Sequence, residues 1–178
     1  MSNILAIDPG TTASALVIWD EGKPALSFCQ KIENKNVLFD LKYLIQAYGV
    51  NLVAIEKVES YGMPVGREVF ETVLWCGVFT QAIRSADCFH VYHIPRKEVK
   101  LALCGSSRAK DGNIRQALLD LFGEPPTKKK HNPFYNSFKP SADTWQAWAL
   151  AITVSQLKRQ NNGKEKMRQW RFLPDHPM

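Results

Sequence analysis

Residues 3–10 read Asn-Ile-Leu-Ala-Ile-Asp-Pro-Gly, and this segment governs how the chain can begin to fold. Its apolar run ends abruptly in three residues that favour a tight turn. Two further apolar runs, 13–19 and 25–32, follow at short intervals and are bounded by turn-forming residues. Because linkers this short join strands that lie side by side, we predict that the chain opens with a three-stranded antiparallel meander.

The remaining segments alternate between helical and strand patterns. Apolar residues recur at helical spacing over 37–45, whereas 52–55 is a continuous apolar run of the kind that lies inside a sheet with both faces covered. The order predicts an α/β protein with a mixed β-sheet of about five strands, the first three antiparallel, flanked by helices on both faces. This is also the order of the RNase H fold. Further helices are predicted over 67–85, 95–103, 112–122 (capped by Asp111) and 141–159, with a strand over 89–94 and a loop over 123–139.

The composition describes one basic domain. The chain has 178 residues, of which 45% are hydrophobic, and a formal net charge of +6. We predict a single domain over residues 1–160 and a basic C-terminal tail over 161–178. The positive charge points to a polyanion or an acidic membrane surface as partner without choosing between them. The tail is either a solvated terminus or a segment that touches phosphates.

The cysteines and the N-terminus indicate a cellular compartment. Cys29, Cys76, Cys88 and Cys104 lie among apolar residues and form no Cys-x-x-Cys pair, so neither a disulfide framework nor a zinc ribbon is indicated. The chain begins with a strand-like run rather than a signal peptide, and no apolar stretch approaches membrane-spanning length. We therefore expect reduced thiols, no membrane partner and a cytoplasmic location.

Three acidic residues form the candidate catalytic group: Asp8 at the end of the first strand, Glu56 after a buried strand, and Asp143 in the first turn of the last helix. Each has an ordinary structural explanation, as a turn former, a solvated residue beyond the core, or a charge favoured by the helix dipole. Strand ends and a helix N-terminus can nevertheless converge at one edge of a mixed sheet. Three carboxylates there repel one another unless cations neutralise them. Oxygen ligands suit Mg²⁺ or Mn²⁺, and paired ions support phosphodiester hydrolysis.

Several segments carry a resemblance to one family. Residues 4–10, 53–58 and 141–143, the last opening an Ala-rich helix, resemble the three acidic motifs of RuvC-type Holliday-junction resolvases, which belong to the RNase H-like superfamily. Residues 95–100 and 104–110 resemble the basic segment of that family. The segments follow one another in the order of the family through most of the chain.

The resemblance implies a metal-dependent DNA endonuclease that resolves four-way junctions and other branched DNA by paired cuts. Asp8 would bridge two Mg²⁺ or Mn²⁺ ions, with Glu56 and Asp143 completing their ligation. Lys110 would act as a fourth catalytic residue by holding the scissile phosphate or its neighbour; the alternative for Lys110 and Arg108 is an ordinary exposed loop. Nine further side chains are candidates for DNA binding: Tyr61, Met63, Arg96, Lys97, Lys100, Arg108, Lys128, Lys129 and Lys130.

Two of these groups have alternative explanations. Tyr61 and Met63 lie in the loop after Glu56, where they would either wedge into the strand-exchange point of a junction or pack on their own domain. The lysines at 128–130 would either clamp a DNA arm or form a solvated charge run. The residues from 61 to 72 are similar to those of RuvC-like proteins of phages and prophages, in which case the location would be the host cytoplasm.

One position departs from the family pattern. RuvC-type enzymes usually offer a fourth polar or acidic ligand three residues before the last aspartate, and here that position is Pro140. Proline has no ligating side chain, so the ligation of the second ion is in question. Glu59, three residues after Glu56, is a candidate replacement.

A homodimer is expected because the helix predicted over 67–85 is apolar on most of its faces. One face would cover the sheet and another would pack on a second subunit, and a two-fold protein places paired nicks across a two-fold junction. Three other functions remain open. One is a non-catalytic DNA-binding module of the same fold, which Pro140 favours, and another is an RNA-processing nuclease. The third follows from residues 7–12, which also resemble the phosphate loop of sugar kinases and actin-like ATPases, although the chain is too short for their second lobe.

Overall fold

The computed structural model describes residues 2–22, 25–60, 62, 64–86, 90–136 and 138–160. Within them the chain forms one five-stranded sheet in the order β3-β2-β1-β4-β5. The first three strands pair in antiparallel fashion, and β4 pairs in parallel with both β1 and β5. The predicted mixed sheet with an antiparallel meander is therefore confirmed. The strands are β1 (Asn3–Asp8), β2 (Ala13–Asp20), β3 (Leu26–Glu33), β4 (Leu52–Lys57) and β5 (Val91–Pro95).

Helices cover both faces of the sheet, and chain handedness explains their distribution. The connections from β3 to β4 and from β4 to β5 join parallel strands and run in the same direction across the sheet. Since such crossovers are right-handed, their two helices lie on one face, and the three helices that follow β5 cover the other. The helices are α1 (Asn34–Ala47), α2 (Arg67–Arg84), α3 (Arg96–Cys104), α4 (Asp111–Phe122) and α5 (Ala142–Arg159).

Alternation along the strands divides the apolar residues into two cores. In β1, Ile4 and Ala6 pack under α3, α4 and α5, whereas Leu5 and Ile7 pack against α1 and α2. Because successive side chains of a strand point to opposite faces, a strand that is apolar throughout serves both cores. The last helix is buried along most of its length, and Trp145 and Trp148 are among its buried residues.

Helix α2 is apolar on most sides, and within the described chain only one side is covered: Cys76 and Phe79 are buried, whereas Phe70 and Leu74 are each 65% exposed. The covered side packs toward the sheet as expected, and the uncovered side is the one for which a second subunit is predicted. One sequence-based expectation needs correction. Asp111 does not cap α4, because the helix begins at Asp111 and Lys110 occupies the N-cap position.

The remaining structural features concern the thiols and the surface. Cys29 and Cys76 are buried and Cys104 is partly buried, and all three are free thiols. Cys88 lies outside the described residues, as does the tail over 161–178. Within the described part of the chain, no helix combines the length and the apolar character that a membrane span requires.

Candidate active site

Asp8 and Glu56 leave the sheet side by side. The register of the parallel strands β1 and β4 places them at the same level, at the carboxyl edge. The alternation of side chains then determines which face they share. Ala6 and Ala54, two residues earlier in each strand, lie in the core beneath α5, so both carboxylates emerge on the α5 side of the sheet.

Asp143 reaches the same edge from the helix above. It lies in the first turn of α5, a helix that packs on β1 and β2. The start of this helix is well defined, because the backbone N–H of Ser141 donates to Thr144 Oγ1 (2.6 Å). A carboxylate in the first turn is favoured by the helix dipole. The structure thus brings all three predicted acidic residues to one rim of the sheet.

A closed ring of hydrogen bonds holds the turn directly after Asp8. The Gly10 backbone N–H donates to Ser14 Oγ (3.2 Å), Ser14 Oγ donates to Asn34 Oδ1 (2.7 Å), and Asn34 Nδ2 donates back to the Gly10 carbonyl (2.9 Å). Ser14 and Asn34 are buried. A Cβ at position 10 would lie 2.3 Å from the Ala13 carbonyl oxygen, so glycine is required there. This turn fixes the backbone from which the Asp8 side chain projects.

The acidic rim borders a cleft of about 420 Å³. Asp8 and Asp143 line it together with the basic residues Arg96 and Arg115 and the amide of Gln146. The cleft is therefore a place where an anionic ligand and a cation held by carboxylates can meet. Pro140 also borders it and offers no ligating atom on its side chain.

The surroundings of Asp8 disfavour its charged form. Burial raises the pKa of the Asp8 carboxyl to about 7, and the neighbouring carboxylates of Glu56 and Asp143 act in the same direction, whereas Arg96 and Lys31 oppose it. Asp8 stands on β1, with Glu56 on β4 to one side and Asp143, paired with Lys31 of β3, to the other, so it occupies the middle of the acidic rim. A carboxyl group in this situation binds either a proton or a cation near neutral pH.

The two outer carboxylates are each neutralised by a basic side chain. Arg96 Nη1 donates to both Glu56 oxygens (3.0 Å each), and its Nη2 donates to Asp111 Oδ1 (2.7 Å). At the other end, Lys31 Nζ donates to Asp143 Oδ2 (2.6 Å). Burial raises the pKa of Glu56, and the ion pair with Arg96 counteracts that rise. Both outer carboxylates are therefore already engaged by basic side chains of the same chain.

The donor set fits a hard divalent cation. Carboxylates and amide oxygens are the protein ligands that Mg²⁺ and Mn²⁺ prefer, and the cleft offers Asp8, Asp143 and the side-chain oxygen of Gln146, a buried atom without a hydrogen-bond partner within the described residues. In the same part of the chain no three His, Cys, Asp or Glu side chains are grouped tightly enough to hold a metal ion. For a metal ion to bind with all three carboxylates, Glu56 and Asp143 would have to leave their basic partners, Arg96 and Lys31.

The candidate replacement ligand Glu59 is held elsewhere. Its carboxylate oxygens pair with Lys57 (3.2 Å) and Lys97 (3.3 Å). Although burial alone would raise its pKa, these hydrogen bonds hold the pKa of Glu59 below its ordinary value. Glu59 does not line the acidic cleft, so the arrangement does not support it as the missing ligand.

The predicted DNA-binding side chains follow a path away from the rim. Arg96, Lys97 and Lys100 line an adjoining cleft of about 300 Å³ on α3, and Lys100 is near enough to lower the pKa of Glu56. Lys110 is exposed at the start of α4, outside the lining of the acidic cleft. Arg108 is exposed in the loop before it, and Lys128, Lys129 and Lys130 are exposed in the turn that Thr127 organises through hydrogen bonds to the backbone of residues 129 and 130.

Sequence reasoning missed three side chains of the site. Lys31 comes from the edge strand β3, Arg115 lies with its guanidinium 5.7 Å from the centre of the Trp145 ring, and Gln146 follows Asp143 by three residues on α5. The spacing of Asp143 and Gln146 is the one signal that was available, because residues three apart share a helix face. Tyr61 and Met63 lie outside the described residues.

Comparisons with known proteins identify the fold. No protein-family model matches the sequence, and no curated protein matches it. Solved structures do resemble the chain, among them two of RuvC. The Thermus thermophilus RuvC structure is 18% identical with a TM-score of 0.68, covering 88% of this chain and 95% of RuvC. The structure of T. thermophilus RuvC in complex with Holliday junction substrate is 19% identical with a TM-score of 0.69, covering 89% and 96%. The protein therefore has a RuvC-like fold.

Proposed function

We propose that this protein is a metal-dependent, structure-selective DNA endonuclease that resolves Holliday junctions and other branched DNA by paired phosphodiester hydrolysis. One observation carries the proposal: Asp8, Glu56 and Asp143, three carboxylates distant in the chain, meet at one rim beside a cleft with basic walls. The similarity to a RuvC structure that holds a Holliday junction substrate supports DNA as the polyanion.

Divalent cations are the proposed partners of the acidic rim. Two Mg²⁺ or Mn²⁺ ions, when bound, supply the charge that activates water and stabilises the leaving oxygen. Asp8, which lies between the other two carboxylates, would contact both ions, and Glu56 and Asp143 would each contact one. Because the pKa of Asp8 is raised to about 7, a proton and a cation would compete for its carboxylate near neutral pH.

The basic side chains are assigned to phosphate contacts. Lys97, Lys100, Arg108 and Lys110 extend from the rim along α3 and the start of α4, and Lys110 would hold the scissile phosphate or its neighbour. Lys128, Lys129 and Lys130 would contact a DNA arm further away. Each phosphate contact steepens the decrease of affinity with salt, so replacing these lysines would weaken binding and reduce the salt dependence together. Tyr61 and Met63 remain predicted contacts to the unpaired bases of the junction.

Paired cutting implies two active sites, and the exposed side of α2 supports a homodimer. Phe70, Val73, Leu74 and Gly77 follow the spacing of a helix-packing stripe and are all exposed in the single chain. Sedimentation at micromolar concentration tests this assignment. The parent chain should be dimeric and Leu74→Glu monomeric, whereas Leu121→Glu, at a similarly exposed position on α4, should remain dimeric. A monomeric parent would contradict the dimer.

A cleavage assay tests the proposed activity. Four-way junctions, forks and linear duplexes would be incubated with the parent chain and with Asp8→Asn in Mg²⁺ or Mn²⁺. We expect symmetric nicks in the junction, little cutting of linear duplex, and a loss of about 10³-fold or more in the Asp8→Asn variant, or ~4 kcal/mol of transition-state stabilisation. Asp40→Asn, an exposed aspartate on α1, is the matched control and should cut normally.

The two alternatives have distinct signatures in the same assay. A non-catalytic DNA-binding module is favoured by the ion pairs that occupy Glu56 and Asp143, and it would bind junctions without cutting them in either metal. An RNA-processing nuclease would cut RNA of the same branched shape in preference to DNA. Undiminished nicking by Asp8→Asn would contradict the assigned site.

A further inference from the structure

Gln146 is an unusual residue for its position. It lies on α5 among residues that are nearly all buried, and it is itself only 9% exposed. Its side-chain carbonyl oxygen is buried and has no hydrogen-bond partner in the described chain. A buried polar group left without a partner destabilises a protein, so an apolar side chain would suit the cation-free core better.

The position of Gln146 in the acidic cleft indicates a role for its side-chain oxygen. Gln146 lines the same cleft as Asp8 and Asp143. It follows Asp143 by three residues, and side chains three apart lie one above the other on the same face of a helix. Two further buried atoms without partners, the indole nitrogens of Trp19 and Trp148, are donors and cannot ligate a cation. Among these three buried atoms, only the Gln146 oxygen is an acceptor and belongs to a residue that lines the acidic cleft.

We propose that the side-chain oxygen of Gln146 is a neutral ligand to a divalent cation held with Asp8 and Asp143. This inference rests on the proposed function, because it concerns the same cation site. It supplies the ligand that Pro140 lacks and that Glu59, tied to Lys57 and Lys97, does not offer. An amide oxygen would ligate the cation without adding a fourth negative charge to a rim that already holds Asp8, Glu56 and Asp143.

Calorimetric titration of the full chain with Mn²⁺ alone, without DNA, tests the proposal. Gln146→Met keeps the length and the apolar part of the side chain and removes the oxygen. We expect its Mn²⁺ affinity to decrease about tenfold or more, because even residues that only orient a metal ligand contribute factors of this size. Gln156→Met, a partly buried glutamine ten residues further along α5, is the matched control and should bind like the parent.

A second readout has the opposite sign and separates ligation from folding. Without Mn²⁺, Gln146→Met should unfold at a temperature about 2–6 °C above that of the parent, since an unpartnered buried oxygen has been removed. With saturating Mn²⁺ the difference between the two unfolding temperatures should decrease or change sign, because the parent binds the ion more tightly. A purely structural role for Gln146 would instead lower the unfolding temperature under both conditions.

The outcomes distinguish the inference from the function on which it rests. If Asp8→Asn abolishes Mn²⁺ binding while Gln146→Met binds Mn²⁺ like the parent, Gln146 is not a ligand and the endonuclease proposal stands. If the parent chain binds no Mn²⁺ at millimolar concentration, both proposals fail. A Gln146→Met variant that is less stable without Mn²⁺ and unchanged in affinity would also overturn the inference.

Discussion

The two ends of the acidic rim are neutralised in different ways. At one end, Glu56 and Arg96 have side chains that are 14% and 29% exposed, and the guanidinium reaches both carboxylate oxygens and Asp111 as well. At the other end, Asp143 and Lys31 are 46% and 49% exposed and share one short contact. Exposed pairs of this kind contribute about 0.2–1 kcal/mol, whereas removing one partner of a buried pair costs about 3–5 kcal/mol.

The contrast indicates the order in which the rim can open. Lys31 is a flexible, hydrated cation that leaves Asp143 at little energetic cost. Arg96 is a planar group held by three hydrogen bonds, and its departure would leave Glu56 charged and largely buried. We therefore expect a cation to enter between Asp8 and Asp143 first, and Glu56 to be released only when DNA phosphates or a second cation compete for Arg96.

The largest predicted effect comes from removing the ion pair between Arg96 and Glu56. Arg96→Ala leaves a buried carboxylate without its partner and should lower the free energy of unfolding by about 2–4 kcal/mol, somewhat less than a fully buried pair would lose because Arg96 is partly exposed. Urea denaturation at pH 8 measures this. The double variant Arg96→Met with Glu56→Gln, which removes both charges, should recover most of the loss. A single Arg96→Ala variant as stable as the parent would show that the two ends do not differ.

Asp8, in the middle of the rim, should make the free energy of unfolding depend on pH, and this effect is intermediate in size. In the folded, cation-free protein the pKa of Asp8 is about 7, well above the ordinary value of 3.8. The folded state therefore binds a proton that the unfolded chain has released, and the resulting stability is complete below about pH 4 and is lost as the pH rises through 7. We expect a decrease on the order of 1–3 kcal/mol over this interval.

Two comparisons check the pH prediction. Asp8→Asn cannot titrate, so its free energy of unfolding should vary less between pH 5 and 8 than that of the parent chain. If Mn²⁺ binds at Asp8 as proposed, it competes with the same proton, and the affinity of the parent for Mn²⁺ should then increase with pH up to about 7 and level off above it. A parent and an Asp8→Asn variant with the same pH profile would place the titrating group elsewhere.

The placement of the carboxylates could be predicted from the sequence, but their partners could not. Asp8, Glu56 and Asp143 stand at the end of a strand, near the end of another and in a first helical turn, and the element order alone brings such positions to one edge. The ion pairs of Lys31 with Asp143 and of Arg96 with Glu56 join residues that are 112 and 40 positions apart in the sequence. No local pattern encodes contacts of that kind.

Two further features were hidden for physical reasons. The apolar pattern of α2 shows that its faces are suited to burial, but it does not show which face has a neighbour within the same chain, so the exposed stripe of Phe70 and Leu74 became visible only in the fold. Gln146 stands in a helix whose other residues are mostly apolar, and a single polar residue there signals nothing until its oxygen is found without a partner.

The smallest predicted effect concerns the Asp143 end. Lys31→Ala removes an exposed partner, so the free energy of unfolding should change by less than about 1 kcal/mol. Its effect on cations should be larger than its effect on stability, because Mn²⁺ no longer has to displace the lysine from Asp143, and we expect the Mn²⁺ affinity to increase a few-fold. Lys35→Ala, an exposed lysine at the start of α1, controls for the loss of general positive charge and should leave the affinity nearly unchanged. Equal affinities in the parent and Lys31→Ala would mean that Asp143 is not where the cation enters, and the ion pair at this end would then be as firmly closed as the one formed by Arg96.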